Sequence, residues 1–160
     1  MKRSAGILLW HRGDAGIEVF LAHPGGPLFV RRDDHHWSIP KGEYDHEETP
    51  VEAAHREFAE ETGHPVPAGA LIDLGQSRQR SGKVNTIFGL EGDLDPDGCV
   101  SNTFTMTWPR GSGRLGEYPE MDRFGWFLLP AAHVKIFDSQ AVFLDRLAAL
   151  VSDTAPETSR

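Results

Sequence analysis

The chain has 160 residues, a net charge of −8, and 39% hydrophobic and 25% charged residues. This length suits one domain with a real core, and no apolar run approaches the roughly 18 residues that a membrane span needs. The acidic balance argues against general nucleic-acid binding, which requires a basic face. Cys99 is the single cysteine, which excludes an internal disulfide and predicts a reducing, cytoplasmic location.

Two apolar, β-rich segments open the chain around the turn Gly13-Asp14-Ala15-Gly16, a pattern that predicts a β-hairpin. A long loop follows, of a length that is uncommon unless it is functional. Beyond the first helix, short apolar segments alternate with glycine-containing turns, which predicts further strands. The predicted strands are 5–10, 17–23, 71–79, 84–94, 103–108 and 124–128, and the predicted loops are 24–36 and 109–116.

A second helix is predicted near the C-terminus, with Ser139 as its N-cap. Phe143, Leu147 and Leu150 recur there at helical spacing, which predicts that they pack in the core. We expect a single domain over 1–151 and a frayed polar tail over 152–160. Strands mixed with two substantial helices indicate an α/β layered fold.

The first helix has clear signals at both ends. Thr49 suits the N-cap, Pro50 the first helical position, and Glu52 completes a Thr-x-x-Glu capping box. Gly63 is a natural C-terminal stop, which leaves a helix of about twelve residues. Val51, Ala54 and Phe58 form an apolar stripe that we expect to bury against a sheet.

Three carboxylates, on Glu57, Glu60 and Glu61, share one face of this helix because they stand at positions i, i+3 and i+4. Like charges placed in this way repel by roughly 0.2–0.5 kcal/mol per pair on an exposed helix. A bound cation would relieve that repulsion. The alternative is a solvated acidic face with no ligand.

The residues upstream favour the cation. The segment reads Gly42, five residues, Glu48, seven residues, Arg56-Glu57, two residues, Glu60-Glu61, one residue and Gly63. This pattern resembles the box of the Nudix family, hydrolases of nucleoside diphosphates linked to another group. One position departs from the family pattern: His64 stands where the family usually has a bulky aliphatic residue. That residue belongs to the packing at the C-terminal end of the helix and not to the metal site. The run Trp37-Ser38-Ile39-Pro40-Lys41 is similar to the approach to the box in diadenosine polyphosphate hydrolases and in enzymes that remove oxidised nucleotides.

The resemblance implies an α/β/α sandwich with a mixed β-sheet, in which the box forms a loop–helix–loop. It also implies that Glu57, Glu60 and Glu61 hold the metal, with the backbone carbonyl of Gly42 as a further ligand. One of these glutamates would activate the attacking water. Mg²⁺ is the expected ion, and Mn²⁺ suits the same oxygen-rich site.

The other box residues have expected roles in support. Glu48 and Arg56 are expected to pair with each other and fix the loop against the helix. Glu120 stands where many relatives carry a further acid that reaches the metal or the water; the alternative is a solvated loop acid.

Candidate substrate residues lie outside the helix. Lys41, Arg78 and Lys83 could neutralise phosphates, although Arg78 and Lys83 also fit an ordinary solvent-facing strand. Trp37 and Tyr118 could stack on a base, although such aromatic residues more often belong to the core or its rim.

The favoured interpretation is a metal-dependent pyrophosphohydrolase of a small-molecule nucleotide polyphosphate, either a dinucleoside polyphosphate or a (deoxy)nucleoside triphosphate. One alternative is hydrolysis of a sugar- or ribose-linked nucleoside diphosphate. Another is a non-catalytic ligand-sensing module, which should have lost at least one of Glu57, Glu60 and Glu61. The sequence does not indicate the oligomeric state.

Overall fold

The computed structural model describes residues 1–153, so most of the predicted polar tail lies outside the described residues. Within this range the chain forms strands and helices with two short 3₁₀ turns, Pro96–Gly98 and Asp138–Gln140. The strands are β1 Arg3–Gly13, β2 Gly16–Pro24, β3 Lys41–Tyr44, β4 Ile72–Arg78, β5 Val84–Glu91, β6 Thr103–Thr107, β7 Leu115–Pro119 and β8 Met121–Leu128. The helices are α1 Pro50–Thr62, α2 Leu129–Lys135 and α3 Ala141–Asp153.

Six strands form one mixed sheet in the order β4-β5-β1-β2-β8, with β3 paired to β1. The long strand β1 runs parallel to β5 and antiparallel to its other two partners. Two strands share the edge of β1 that faces away from β5: β3 pairs with residues 3–6 and β2 pairs with residues 10–13. The strands β6 and β7 form a separate two-stranded hairpin.

The sheet has a helical layer on each face. Ala5, Ile7 and Leu9 of β1 belong to the core cluster that includes Phe58 of α1. Leu8 and Trp10 belong instead to the cluster formed with α2 and α3. Since side chains alternate along a strand, β1 supplies both cores. The architecture is therefore the predicted α/β/α sandwich with a mixed sheet.

The predicted ends of α1 are confirmed. The Glu52 backbone N–H donates to Thr49 Oγ1 at 3.1 Å, and the Thr49 N–H donates to Glu52 Oε1 at 2.9 Å. Gly63 ends the helix in the left-handed region with φ of 77°, and its N–H donates to the Ala59 carbonyl. Val51 is 39% exposed, contrary to the prediction. Val51 is on the same side of the helix as the buried Phe58, about 20° around the axis, but it lies in the first turn, at the N-terminal end of the helix.

The C-terminal segments differ from the prediction in four ways. Helix α2 and strand β7 were not predicted. Ser139 does not cap α3, because it lies inside the preceding 3₁₀ turn, where its hydroxyl accepts a hydrogen bond from the Gln79 amide at 3.2 Å. Phe143 and Leu147 are buried as predicted, whereas Leu150 is exposed. Helix α3 also continues two residues beyond the predicted end of the domain.

None of the helices within residues 1–153 is long and apolar enough to cross a membrane.

Candidate active site

The short strand β3 sets the position of the box. Its residues pair with the start of β1 in the register Ala5 with Gly42 and Gly6 with Lys41. The N–H of Ile7 donates to the Pro40 carbonyl at 3.1 Å. Because hydrogen-bonded pairs alternate along an antiparallel ladder, the pair two residues further on, Ala5 with Gly42, also exchanges hydrogen bonds.

This register argues against the Gly42 carbonyl as a metal ligand. That carbonyl is directed at β1 as part of the ladder. The backbone of Lys41 faces the other way, and its N–H lies 3.3 Å from Glu61 Oε1. Since the N–H and C=O of one residue share an edge of an antiparallel strand, the Lys41 carbonyl is the backbone acceptor on the side of the acids.

The absence of a side chain at Gly42 leaves room for Glu57. A Cβ atom at this position would overlap the carboxylate of Glu57, which lies directly against the Gly42 backbone. The glycine therefore allows α1 to approach β3 closely enough for its acids to reach the end of the strand.

Arg56 joins the loop to the helix, as predicted. Its guanidinium donates to both oxygens of Glu48 at 2.8 Å, through Nε and Nη2. Such a two-pronged contact fixes orientation as well as distance. The same side chain reaches Glu57 Oε2 at 2.6 Å and Glu60 Oε1 at 3.3 Å through Nη1. Arg56 thus also contacts two of the three predicted metal-binding acids.

The box acids differ in burial. Glu57 and Glu61 are only 8% and 5% exposed, whereas Glu60 is more accessible. Burial raises the pKa of the Glu57 carboxyl, against the contact with Arg56. Burial, reinforced by the charge of Glu57, raises the pKa of the Glu61 carboxyl well above its usual range. A bound cation would stabilise the ionised forms that burial opposes.

Glu120, in the turn between β7 and β8, is brought to the same place. Burial and the charge of Glu60 raise the pKa of its carboxyl. The charge of Glu120 in turn contributes to the raised pKa of Glu57 and of Glu61. Three carboxyl groups of α1 and one from the distant turn between β7 and β8 therefore interact electrostatically.

These groups fit a hard divalent cation by their chemistry, because Mg²⁺ prefers carboxylate and carbonyl oxygens. As they stand, however, no three His, Cys, Asp or Glu side chains in residues 1–153 are close enough together to hold one ion. Glu57 and Glu60 are both turned to Arg56. Sharing an ion would require them to rotate away from the guanidinium.

The predicted phosphate-binding cations lie on the other side of β3. Lys41 is partly buried; this burial, together with the charge of Lys83, lowers the pKa of its ammonium. Lys83 Nζ lies 2.9 Å from Glu43 Oε2. Arg78 is exposed, and its guanidinium reaches the Gly82 carbonyl at 3.5 Å. Arg78, Lys83 and Glu43 line one groove of about 680 Å³.

The two aromatic candidates are placed differently. Trp37 is 6% exposed and belongs to the core between the sheet and α3, with its indole N–H donated to Asp33 Oδ1 at 2.9 Å. A base has no access to a ring packed in this way, so the position of Trp37 argues against stacking. Tyr118 is partly exposed in the separate hairpin, where its ring lies 6.0 Å from that of Phe104.

Two glutamines near the site were missed in the sequence. Gln79 and Gln140 line a cavity of about 280 Å³ together with Lys41. Gln140 is buried, and its side chain accepts from the Ile39 N–H at 2.8 Å, which holds the strand leading into β3. No local pattern identifies such a residue, because its partner is about a hundred positions away.

His64, the departure from the box pattern, has a defined contact. Its Nε2 lies 2.7 Å from the Gly98 carbonyl. The exit of α1 is thus held by a hydrogen bond where an aliphatic residue would be held by packing.

Comparisons with known proteins identify the family. A NUDIX domain model matches residues 2–147, so the chain belongs to the Nudix family. An 8-oxo-(d)GTP phosphatase of Mycolicibacterium smegmatis is 42% identical over 79 residues, which cover 44% of this chain and 22% of that protein. The match thus spans about a fifth of the length of this curated relative.

Solved structures share the fold. An Ap4A hydrolase of C. elegans in a binary complex superposes with a TM-score of 0.62 at 18% identity, covering 94% of this chain and 98% of that one. The NUDIX domain of Shewanella oneidensis NrtR complexed with ADP ribose superposes with a TM-score of 0.59 at 15% identity, covering 93% of this chain and 87% of that one. At these identities the likeness establishes the fold.

Proposed function

We propose that this chain is a metal-dependent pyrophosphohydrolase that cleaves a phosphoanhydride bond of a nucleotide polyphosphate by attack of water at phosphorus. The observation that carries the proposal is that α1 lies directly against β3, where the Glu57 carboxylate contacts the backbone of Gly42 and Glu61 accepts from the Lys41 N–H at 3.3 Å. Burial and neighbouring carboxylate charges raise the pKa of the Glu57, Glu61 and Glu120 carboxyls, and carboxyl groups perturbed in this way recur at functional sites.

Mg²⁺ is the proposed ion, with Mn²⁺ as a substitute. Glu57, Glu60 and Glu61 would hold it, with Glu120 and the Lys41 carbonyl as further oxygen donors. Once bound, it would neutralise phosphate charge and lower the pKa of a coordinated water.

Side chains would carry out proton transfer, positioning and charge compensation. One box glutamate accepts the proton of the attacking water, since a carboxylate within hydrogen-bond reach is a suitable general base. Glu48 and Arg56 hold the loop and the helix in register. Lys41 and Lys83 offset the charge of the phosphate chain.

The favoured substrates are a (deoxy)nucleoside triphosphate and a dinucleoside polyphosphate. The first is supported by the similarity of 79 residues to an 8-oxo-(d)GTP phosphatase, and the second by the shared fold of an Ap4A hydrolase. A ribose-linked diphosphate is the alternative, since the neighbouring NrtR domain was solved with ADP ribose. A non-catalytic sensing role is less compatible with three intact box acids. A cytoplasmic location remains a prediction from the single cysteine.

The test is a chromatographic assay of nucleotide polyphosphates with Mg²⁺, comparing wild type with Glu61→Gln. We expect Glu61→Gln to lower kcat/KM by about 100-fold or more while the protein remains folded, because metal sites lose at least that much when a ligand is removed. Glu47→Gln, an exposed acid before α1, serves as the control. Turnover by Glu61→Gln at the wild-type rate would exclude the proposed metal site.

A further inference from the structure

Glu120 lies where the chain changes its hydrogen-bonding partner. It stands at a bend between β7, which pairs with β6, and β8, which pairs with β2. In a regular antiparallel strand the N–H and the C=O of one residue point to the same neighbour. At Glu120 they point to different neighbours, because the N–H donates to the Asn102 carbonyl at 2.8 Å and the C=O accepts from the Gly25 N–H at 2.9 Å. The backbone of this acid is therefore held from two sides.

Asn102 connects the bend to α1. The Trp108 N–H donates to the Arg114 carbonyl in the same hairpin. Since hydrogen-bonded pairs recur at every second residue, Asn102 and Glu120 would also exchange two bonds. They keep only one, and the Asn102 N–H donates instead to the Glu60 carbonyl at 2.8 Å. The backbones of Glu60 and Glu120 are thus linked through a single residue.

Ser101 completes this junction with its side chain. The residue is 8% exposed. The N–H of Met121, the residue after Glu120, donates to Ser101 Oγ at 2.9 Å. The hydroxyl itself lies 2.8 Å from the Asn102 carbonyl and 3.1 Å from the Met121 carbonyl, and it can donate its one proton to either. Without this hydroxyl the Met121 N–H would lose its acceptor.

The other side of the bend is packed against the long loop and β2. A Cβ atom at Gly25 would lie 2.2 Å from the Pro119 carbonyl oxygen, so the two backbones are in direct contact. His23 is fully buried, and its Nδ1 lies 2.7 Å from Asp122 Oδ1. A displacement of Glu120 therefore requires one of the contacts around the bend to open.

We propose that Ser101 is a positioning residue, which holds Glu120 beside the acids of α1 through the hydrogen bond between its hydroxyl and the Met121 N–H. This inference rests on the proposed function, in which Glu120 is an oxygen donor to the metal. It goes beyond that function by naming the residue that fixes this donor relative to Glu60. Loss of the hydroxyl frees the bend, so that the Glu120 carboxylate no longer has one defined position.

A purely structural role for Ser101 leads to a different expectation. A substitution that only weakens the base of the hairpin would lower activity by the same factor whether or not Glu120 carries a carboxylate. A residue that acts through Glu120 loses its effect once that carboxylate is removed, because coupled sites are not additive. The double-mutant cycle of Ser101 and Glu120 therefore separates the two roles.

The first experiment measures kcat with Mg²⁺ on dGTP and on diadenosine tetraphosphate. Ser101→Ala should lower kcat about tenfold, since residues that orient a metal ligand typically contribute about 10–100-fold. In the Glu120→Gln background the same substitution should change kcat by less than about twofold. Thr86→Val removes a similarly buried hydroxyl, hydrogen-bonded to Gln76 on the neighbouring strand, and should not change kcat. An equal loss in both backgrounds, or no loss in either, would overturn the positioning role.

The second experiment needs no turnover and so separates this inference from the proposed function. Binding of Mn²⁺ alone is measured by calorimetry for the same cycle. Ser101→Ala should weaken binding about tenfold when Glu120 is intact and have little effect in Glu120→Gln. If nucleotides are hydrolysed but the cycle shows no coupling, the positioning role is wrong and the function stands. If no nucleotide is hydrolysed but Mn²⁺ binding shows the coupling, the proposed function fails and the positioning role stands.

Discussion

At Gly42, the absence of a Cβ atom makes room for another side chain. The carboxylate of Glu57 occupies the space that a Cβ at Gly42 would take. In the sequence the glycine is visible only as a member of a motif. The structure supplies its reason, which is the close contact between β3 and α1.

We expect Gly42→Ala to lower the free energy of unfolding by up to about 1 kcal/mol, because the added carbon displaces the Glu57 carboxylate, the end of a flexible side chain, from its contact with Arg56. Urea denaturation measures this change. Gly98→Ala is a matched control, since a Cβ there meets only the end of the His64 ring, at 3.6 Å. Its effect should stay within about 0.5 kcal/mol. Equal stability of Gly42→Ala and wild type would contradict the steric explanation.

His11 lies between two carboxylates on the opposite end of β1. Its Nε2 is 2.6 Å from Glu18 Oε1, its Nδ1 is bonded to Asp93, and its ring stacks on Trp126. Burial alone would lower the pKa of the imidazole, but the hydrogen bonds that the protonated ring donates to Glu18 and Asp93 outweigh it and raise the pKa above 6.5. The protonated ring therefore ties β1 to β2 and to the loop after β5.

A raised pKa in the folded state fixes the direction of the pH dependence. The stabilisation from His11 is fully present below about pH 6.5 and is lost as the pH rises through the folded-state pKa. The difference in unfolding free energy between wild type and His11→Gln should therefore be constant between about pH 5 and pH 6.5 and shrink above neutrality. Chemical denaturation over a pH series measures it. A difference that grows with increasing pH would rule out this charge arrangement.

At the scale of elements, α1 was predictable because its signals are local. A capping box, a proline at the first position and a terminal glycine all lie within the helix and its flanks, and the structure has the helix at those bounds. Helix α2 offered weaker signals: Pro130 lies in its first turn, but Leu128 caps it without a side-chain hydrogen bond and no glycine ends it. Ser139 was a plausible cap in isolation, but its hydroxyl is used by Gln79 from β4. Contacts of that range are invisible to a local pattern.

In the candidate site, too, features with a local sequence signal were predictable and features that depend on distant contacts were not. The shared face of the three box acids was predictable from their spacing, and the Glu48–Arg56 pair from the resemblance of the box. The direction of the Gly42 carbonyl was not, because it depends on the register with β1. The burial of Trp37 was not predictable either, since it results from contacts with Phe127 of β8 and with the end of α2.

The capping box can be tested as a unit. Thr49→Ala should lower the free energy of unfolding by about 1 kcal/mol, because the Glu52 N–H loses its acceptor. Glu52→Ala removes the reciprocal bond. Measured by denaturation, the double substitution should cost less than the sum of the two, since the bonds support each other. Strict additivity would show that the two bonds act independently.

For the whole molecule, the carboxylate cluster links metal binding to stability. An ion that binds only the folded chain stabilises it, by about 2.7 kcal/mol at a hundred times its dissociation constant. In a protein of this length such a gain corresponds to a rise in Tm of several degrees.

We therefore expect Mg²⁺ to raise the Tm of wild type and a chelator to reverse the rise. The combined variant Glu57→Gln, Glu60→Gln and Glu61→Gln should melt at the same temperature with and without Mg²⁺. Differential scanning calorimetry measures both. An equal Mg²⁺-dependent rise in the variant would place the ion elsewhere on this acidic chain.

The four-residue strand β3 has a consequence for how this sequence tolerates change. Slippage by a single position would reverse which side each residue faces. The side chain of Lys41 would then face α1. Gly42, whose backbone accommodates Glu57, would face the opposite side of the sheet. A one-residue insertion or deletion between Ser38 and Tyr44 should thus displace both the Lys41 side chain and the contact of Gly42 with Glu57, even where the rest of the sandwich still folds.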